Sequence, residues 1–375
     1  MRLARKLLCA VWRVRRVARE ERRKYSQEDS VSSQEDLHRA KAALSKRWLR
    51  RNIRTDFDRH RRTRFADGIT RLARSGVHAV GIGRKRTEGK LTTEPCVQVF
   101  VTQKFPKRLI EAKARIPARI AGIPTDIVET PVFRAAAGLQ GAADACPDPR
   151  GRQRPLLPGS SAAHPDVLAG TLGWFVRSVQ PGDAPDAVFA LSCGHVFADP
   201  AHSAPGTQLY QPSRGDGAKA SDSFATLHRF VALRKGTQKP NMVDAAIGLV
   251  RSNLTVDPEL CPIGKIGGIA SARVGMKVAK VGRTTRFTTG RVDSIGVEAV
   301  VPIEHFGPAL FVNQIRIVGS AEHPIVALAG DSGALVVETQ SRRAVGLLFA
   351  TASTGGDALL NDIGAVLQAL EITLL

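Results

Sequence analysis

Cysteine is scarce and unpatterned in this chain. Cys9, Cys96, Cys146, Cys193 and Cys261 are odd in number, widely scattered, and include no Cys-x-x-Cys pair. Such spacing argues against a disulfide framework and for a reducing, cytoplasmic home. The nine histidines also lack ligand spacing, so no metal is expected. Long hydrophobic runs are missing too. No stretch of about eighteen apolar residues is present to cross a membrane as a helix. The apolar patch at 7–12 is interrupted by Arg13, Arg15 and Arg16 before it makes an export signal. Gly81-Ile82-Gly83 lacks the third glycine and following helix of a dinucleotide fingerprint, which leaves a turn and no cofactor. Aromatic residues are few, at 5%, yet a hydrophobic content of 43% supports an ordinary core.

Acidic residues are outnumbered, 34 to 55, and the imbalance is concentrated. Residues 1–75 carry +14 of the net +21, so the other 300 residues are only mildly basic. Any nucleic-acid or membrane role is thereby confined to an N-terminal arm. There, Leu3, Leu7, Val11, Val14 and Val17 form a helical stripe on a basic background, and 47–64 makes a second basic block with Trp48 and Phe57. A solvated charged helix, a regulatory partner, and an anionic surface are all readings of that arm.

At 375 residues the chain has room for about two domains of ~150 residues. Four segments are expected: a basic, mostly helical arm (1–75), a small α+β unit of β-β-α-β order (76–134), an Ala/Gly/Pro-rich linker (135–161), and a main domain (162–375). In the second segment, strands are expected at 77–83, 96–102 and 125–129, with a short helix at 106–114. The linker contains Arg150, Arg152 and Arg154, which suit nicking if exposed. In the last segment, apolar runs at 171–178, 187–193, 223–233, 243–250, 277–282, 290–300, 309–319, 333–338 and 344–350 alternate with Gly, Pro and Asp. That rhythm predicts a mainly β barrel or sandwich. Ile363, Val366, Leu367 and Leu370 fall at helical spacing and predict a terminal helix over 361–370 packed on the second barrel.

Three motifs carry chemistry. Gly330-Asp331-Ser332-Gly333 sets a serine on a turn before an apolar strand; glycines there permit close backbone approach, and turn amides can face a developing oxyanion. By itself the tetrad is also an ordinary turn composition. Upstream, the apolar run 187–197 delivers His195, and Asp244 heads the apolar run 243–250, where a carboxylate needs a partner. His, Asp and Ser thus appear in that order, with gaps of 49 and 88 residues. In such a set Ser332 attacks, His195 relays its proton, and Asp244 orients the imidazole. The order differs from those of the subtilisin and α/β-hydrolase arrangements. Cys193 beside His195 reads as a second candidate nucleophile or as a small buried residue.

On these residues the chain resembles the trypsin-like serine peptidases of the chymotrypsin superfamily. Gly81-Ile82-Gly83-Arg84-Lys85, Gly122-Ile123-Pro124-Thr125-Asp126-Ile127-Val128-Glu129, Gly170-Thr171-Leu172-Gly173 and Gly282-Arg283-Thr284-Thr285 extend the likeness to bacterial members with an extra N-terminal domain and to the related plant narrow-leaf proteins. The resemblance implies two six-stranded antiparallel β-barrels with the site between them, and an oxyanion hole from the backbone N–H groups of Gly330 and Ser332. It implies a pocket with Val326 at its floor and Ala350 and Thr351 in its wall. Valine in place of an acid favours small or apolar residues before the scissile bond. It leaves Asp331 open, because in zymogen-type relatives that carboxylate binds a newly cut N-terminus and no Ile-Val-Gly-Gly start is seen here. The expected partner is a protein or peptide substrate, through a serine endopeptidase with a regulatory N-terminal region. The alternative is a catalytically silent binding module on the same fold.

Overall fold

A computed structural model describes residues 33–50, 76–110, 112–134, 146–199 and 203–375. The helical stripe at 3–17 and most of the basic block at 47–64 lie outside them. The architecture is mainly β, as the sequence rhythm predicts. Its first unit is an antiparallel sheet of β6 (Trp174–Ser178), β7 (Phe189–Ser192), β8 (Gln208–Tyr210), β9 (Ser223–Phe230), β11 (Ala246–Val250) and β18 (Ile372–Leu374), ordered β18-β6-β7-β11-β9-β8. Residues 161 and 163 bridge to Thr171 and Tyr210 at its margin.

The second unit closes on itself. β12 (Lys277–Gly282), β13 (Arg286–Ile303), β14 (Gly307–Gly319), β17 (Asp357–Asp362), β16 (Ala344–Ala352) and β15 (Leu335–Glu338) pair in a ring, each antiparallel to the next, and β15 returns to β12. Closure removes the exposed edges that an open sheet would leave. β13 is 18 residues long and shifts register three times against β14. Such irregularities bend a strand, and the far half of β13, still paired with β14, receives the N-terminal unit on its other edge.

That unit is part of the same sheet. β1 (Val77–Thr87) pairs with β13 and with β2 (Lys90–Val101), which runs parallel to β4 (Ile123–Glu129), itself edged by β3 (Arg119–Ile120). The strands expected here are present, but the helix expected at 106–114 is two separate 3₁₀ turns, Lys107–Leu109 and Ala112–Ala114. Ile110, which follows the first turn, is extended (φ −103°, ψ 125°), so that turn does not continue as a helix. From the arm, α1 (Gln34–Leu44) begins at Ser33, whose hydroxyl accepts from the Asp36 N–H, and runs on into a π-helical turn, Ser45–Leu49. Leu37, Leu44, Trp48 and Leu49 are buried against Val77, Val80, Val99 and Val300. Buried Lys41 reaches Gly296 O at 2.8 Å and Glu298 at 3.1 Å, and Arg50 reaches Glu298 at 2.9 Å. Burial alone would raise the Glu298 pKa; the Ser45 hydroxyl and the two cations outweigh it and hold the carboxyl below its ordinary range.

The structure also departs from the sequence expectations at the cysteines and in the linker. Cys146 and Cys261 form a disulfide that closes 115 residues of sequence, so the scattered spacing concealed a pair made only by folding. The later part of the expected linker is also a packed segment. Leu156 and Ser161 are fully buried, Leu156 N–H donates to Thr255 O, Arg152 pairs with Asp222, and Arg154 donates to Gln211. Cutting there would require the segment to leave these contacts, although the Arg152 side chain itself is half exposed. The terminal helix forms as α2 at Ile363–Leu370, capped by Asp362. It packs on β16 and β17, while Arg229 from β9 of the other unit donates to its Leu370 carbonyl at 2.8 and 3.0 Å.

Candidate active site

β7 and β11 are adjacent antiparallel strands with Ser192 opposite Ala246. This register places the residues just beyond β7 beside those just before β11, and so brings His195 to Asp244. A single helical turn, Gly194–Phe197, carries His195. Asp244 is fully buried. Its Oδ1 accepts the His195 backbone N–H at 3.0 Å, and its Oδ2 contacts the ring Nδ1. With Nδ1 tied to a carboxylate, Nε2 is the nitrogen left to handle a proton. Asn361 fixes the acid from behind: its Oδ1 accepts the Asp244 N–H at 3.0 Å, and its Nδ2 donates to Asp244 O at 3.2 Å.

Ser332 lies between Gly330 and Gly333, whose φ angles are +92° and +97°. Only glycine adopts these readily, and a Cβ on Gly333 would sit 2.2 Å from Ser192 Oγ. Thr171 holds this turn, its N–H donating to Ser332 O and its hydroxyl to Gly330 O, both at 2.8 Å. Ser192 Oγ in turn donates to Thr171 O. Leu348 O accepts both the Gly333 N–H at 2.7 Å and the Cys193 thiol at 3.0 Å. The histidine segment and the serine turn thus share one carbonyl. Among the described residues the N–H groups of Gly330 and Ser332 donate no hydrogen bond, whereas that of Asp331, between them, donates to Leu328 O. Ser332 Oγ donates to Phe349 O at 3.3 Å, and no Ser332–His195 hydrogen bond is formed.

Asp331 is satisfied from within. Its carboxylate accepts from the N–H groups of Thr284, Thr285 and Leu328 and from Thr285 Oγ1, at 2.7–3.1 Å, and faces Lys280 Nζ at 3.5 Å. Both charged side chains are essentially inaccessible. Burial lowers the Lys280 pKa, opposed by Asp331. Neither Lys280 nor Asn361 was singled out in the sequence. Lys280 is a charge in the middle of an apolar strand, a signal that alternation makes available; by its spacing Asn361 reads as the start of a helix.

Val326 is buried with Met276, Val292, Ala327 and Ala334, and its carbonyl accepts Thr288 Oγ1. Ala350 is fully buried in β16, and Thr351 Oγ1 donates to Ala327 O at 2.9 Å. The cavity against the Cys146–Cys261 bridge includes none of these side chains. Cys193, His195 and Asp244 offer donor atoms within 4.8 Å of one another. The Cys193 thiol is a poor ligand or nucleophile as it stands, because burial, reinforced by Asp244, pushes its pKa well above the ordinary value.

No family profile matches the chain, and no curated protein matches it. Solved structures do. Protease A from Thermobifida fusca is 17% identical, with 58% of this chain and 97% of that one covered at a TM-score of 0.41. A glutamic acid specific serine protease, described as using a novel histidine triad in substrate binding, is 20% identical over 59% and 100%, at 0.41. Nocardiopsis protease is 19% identical over 58% and 97%, also at 0.41.

Proposed function

We propose that this chain is a serine endopeptidase that hydrolyses peptide bonds through Ser332, His195 and Asp244. The observation that carries the reading is the buried Asp244 carboxylate locked on His195 Nδ1 beside a serine turn with two unengaged amides. Attack by Ser332 Oγ on a substrate carbonyl forms a C–O bond while His195 Nε2 accepts the hydroxyl proton. The carbonyl oxygen becomes an oxyanion facing the Gly330 and Ser332 N–H groups. Collapse expels the amine, which takes the proton from His195. Water repeats the sequence on the acyl-enzyme and frees the acid. Asp244 orients the imidazole and stabilises the imidazolium.

Buried, apolar Val326 offers no carboxylate to a basic side chain, and the Thr351 hydroxyl is spent on the Ala327 carbonyl. Both support a shallow pocket for a small or apolar residue. The Lys280–Asp331 pair supports a turn set without a newly cut N-terminus. The docking of α1 on the shared sheet supports an N-terminal region that acts on the peptidase through β13, and the basic composition of residues 1–75 suits a regulatory partner or an anionic surface. The Cys146–Cys261 bridge fits an oxidising compartment better than the cytoplasm. Among the described residues, no helix is long and apolar enough to cross a membrane.

One observation favours a second reading, a silent binding module: Ser332 Oγ is engaged by Phe349 O and not by His195. A fluorophosphonate separates the two. Labelling of wild type that disappears in Ser332→Ala and His195→Ala is the expected result. Folded wild-type protein that stays unlabelled, with or without added peptides, overturns the enzyme reading.

A further inference from the structure

The edge of β16 beside Ser332 has a gap of two residues. On the side away from β17, β15 pairs with β16 as far as Leu347, and Leu348 is taken by Ala334 and Gly333. At Thr351 and Ala352 the same edge is occupied again, by the chain's own β5 (Phe133–Arg134), antiparallel, with Arg134 opposite Thr351 and Phe133 opposite Ala352. Thr351 pairs with Ala358 of β17 on its other side, so β5 must lie on the edge that β15 leaves. Between them only Phe349 and Ala350 remain, and Phe349 O is the group that holds Ser332 Oγ.

An extended peptide adding to this edge gains main-chain hydrogen bonds as another strand would. Running in the direction of β5, it has its N-terminal end at Arg134 and its C-terminal end at Ser332. At ~3.3 Å per residue, the unpaired stretch corresponds to about two peptide residues before the bond at the serine; Phe349 and Ala350 are themselves covered, so a peptide must displace that cover to pair with them. β5 is a wall and not a loose plug. Phe133 is fully buried, edge-on to His78 and Phe100 at 5.7 and 6.4 Å. Just ahead of it, His78 Nε2 donates to Thr130 O at 3.0 Å, and Thr130 Oγ1 donates to Asp357, which also receives Arg316.

We propose that β5 permanently fills the third and fourth binding positions upstream of the scissile bond, so that the protein recognises two upstream residues and forces longer substrates off the edge beyond them. The inference rests on the peptidase reading and deepens it into a rule for substrate length. Peptidyl diphenyl phosphonates ending in an alanine or valine analogue, with two or four residues, test it by their rates of labelling. On wild type the tetrapeptidyl probe should react at least tenfold more slowly than the dipeptidyl probe. Arg134→Pro, which removes an edge N–H, and Phe133→Ala should each speed the tetrapeptidyl probe about tenfold and leave the dipeptidyl probe within about twofold. A simple fluorophosphonate, which needs no upstream subsite, reports separately on the nucleophile and on the integrity of each variant. If it fails on wild type, the peptidase reading fails and this inference with it. If it reacts while the tetrapeptidyl probe is the faster one on wild type, or both peptidyl probes are equally slow, the wall is refuted and the peptidase reading stands.

Discussion

The two halves of the candidate site are built differently. His195 and Asp244 sit at the ends of neighbouring short strands in a sheet whose members are three to eight residues long. One antiparallel register brings them together, and Asn361 is the main addition from afar. Ser332 belongs to a ring with strands of up to 18 residues, and its turn is held by Thr171, the Thr284–Thr285 amides and a buried lysine. The same ring is extended by β1–β4 and bordered by β5. Pairing of an acid and a base needs only local ladder geometry, whereas placing a serine and two amides needs the rest of the chain. Disturbance far from the site should therefore reach the serine half first.

The largest effects remove the chemistry and fall on both halves alike. Ser332→Ala or His195→Ala should lower peptide hydrolysis by roughly 10⁴ to 10⁶, with a smaller loss for Asp244→Asn. Equal activity in Ser332→Ala would place the reaction elsewhere. Next, Lys280→Met leaves Asp331 as an unpaired buried charge and should cost about 3–5 kcal/mol in denaturant unfolding. Adding Asp331→Asn should recover part of that stability without recovering activity. An unchanged midpoint for Lys280→Met would mean that the pair does not brace the serine turn.

Reducing the Cys146–Cys261 bridge should destabilise by about 2–4 kcal/mol, because a long loop is released in the unfolded chain; thermal melting with and without reductant measures it. His78 sharpens the comparison through pH. Burial drives its pKa from 6.5 to about 4, so the neutral ring is favoured in the folded protein and the unfolded chain binds the proton first. Stability is full above pH 6.5 and falls as pH drops toward 4, by about 3 kcal/mol at most. His78→Gln should flatten that slope, read from unfolding midpoints across the range. Smallest is Arg50→Ala: its side chain is 43% exposed, so the loss should stay below about 1 kcal/mol in the same assay.

Much of the strand pattern was legible because alternation and turn residues are local properties. The runs at 277–282, 309–319 and 344–350 match β12, β14 and β16 to within a few residues. β5, at two residues, and β10 (Gly236–Asn241), which carries a lysine and a proline and pairs parallel to β14, gave no such signal; their partners lie far away in sequence. The same limit hid the disulfide, since nothing in the separation of Cys146 and Cys261 indicates that folding will bring their Cα atoms to 5.7 Å.

By itself the sequence determined which residue types were available for chemistry, their order, and the β character around them. These depend on side-chain identity and on period-two alternation, which act over a few residues. Tertiary structure alone decided that Asp244 meets His195, that Asp331 is answered by Lys280, that a thiol beside the histidine is silenced by burial, and that the chain's own β5 takes the β16 edge two residues beyond the serine's partner Phe349. Each of those depends on which distant strands become neighbours, and on how much water is excluded when they do.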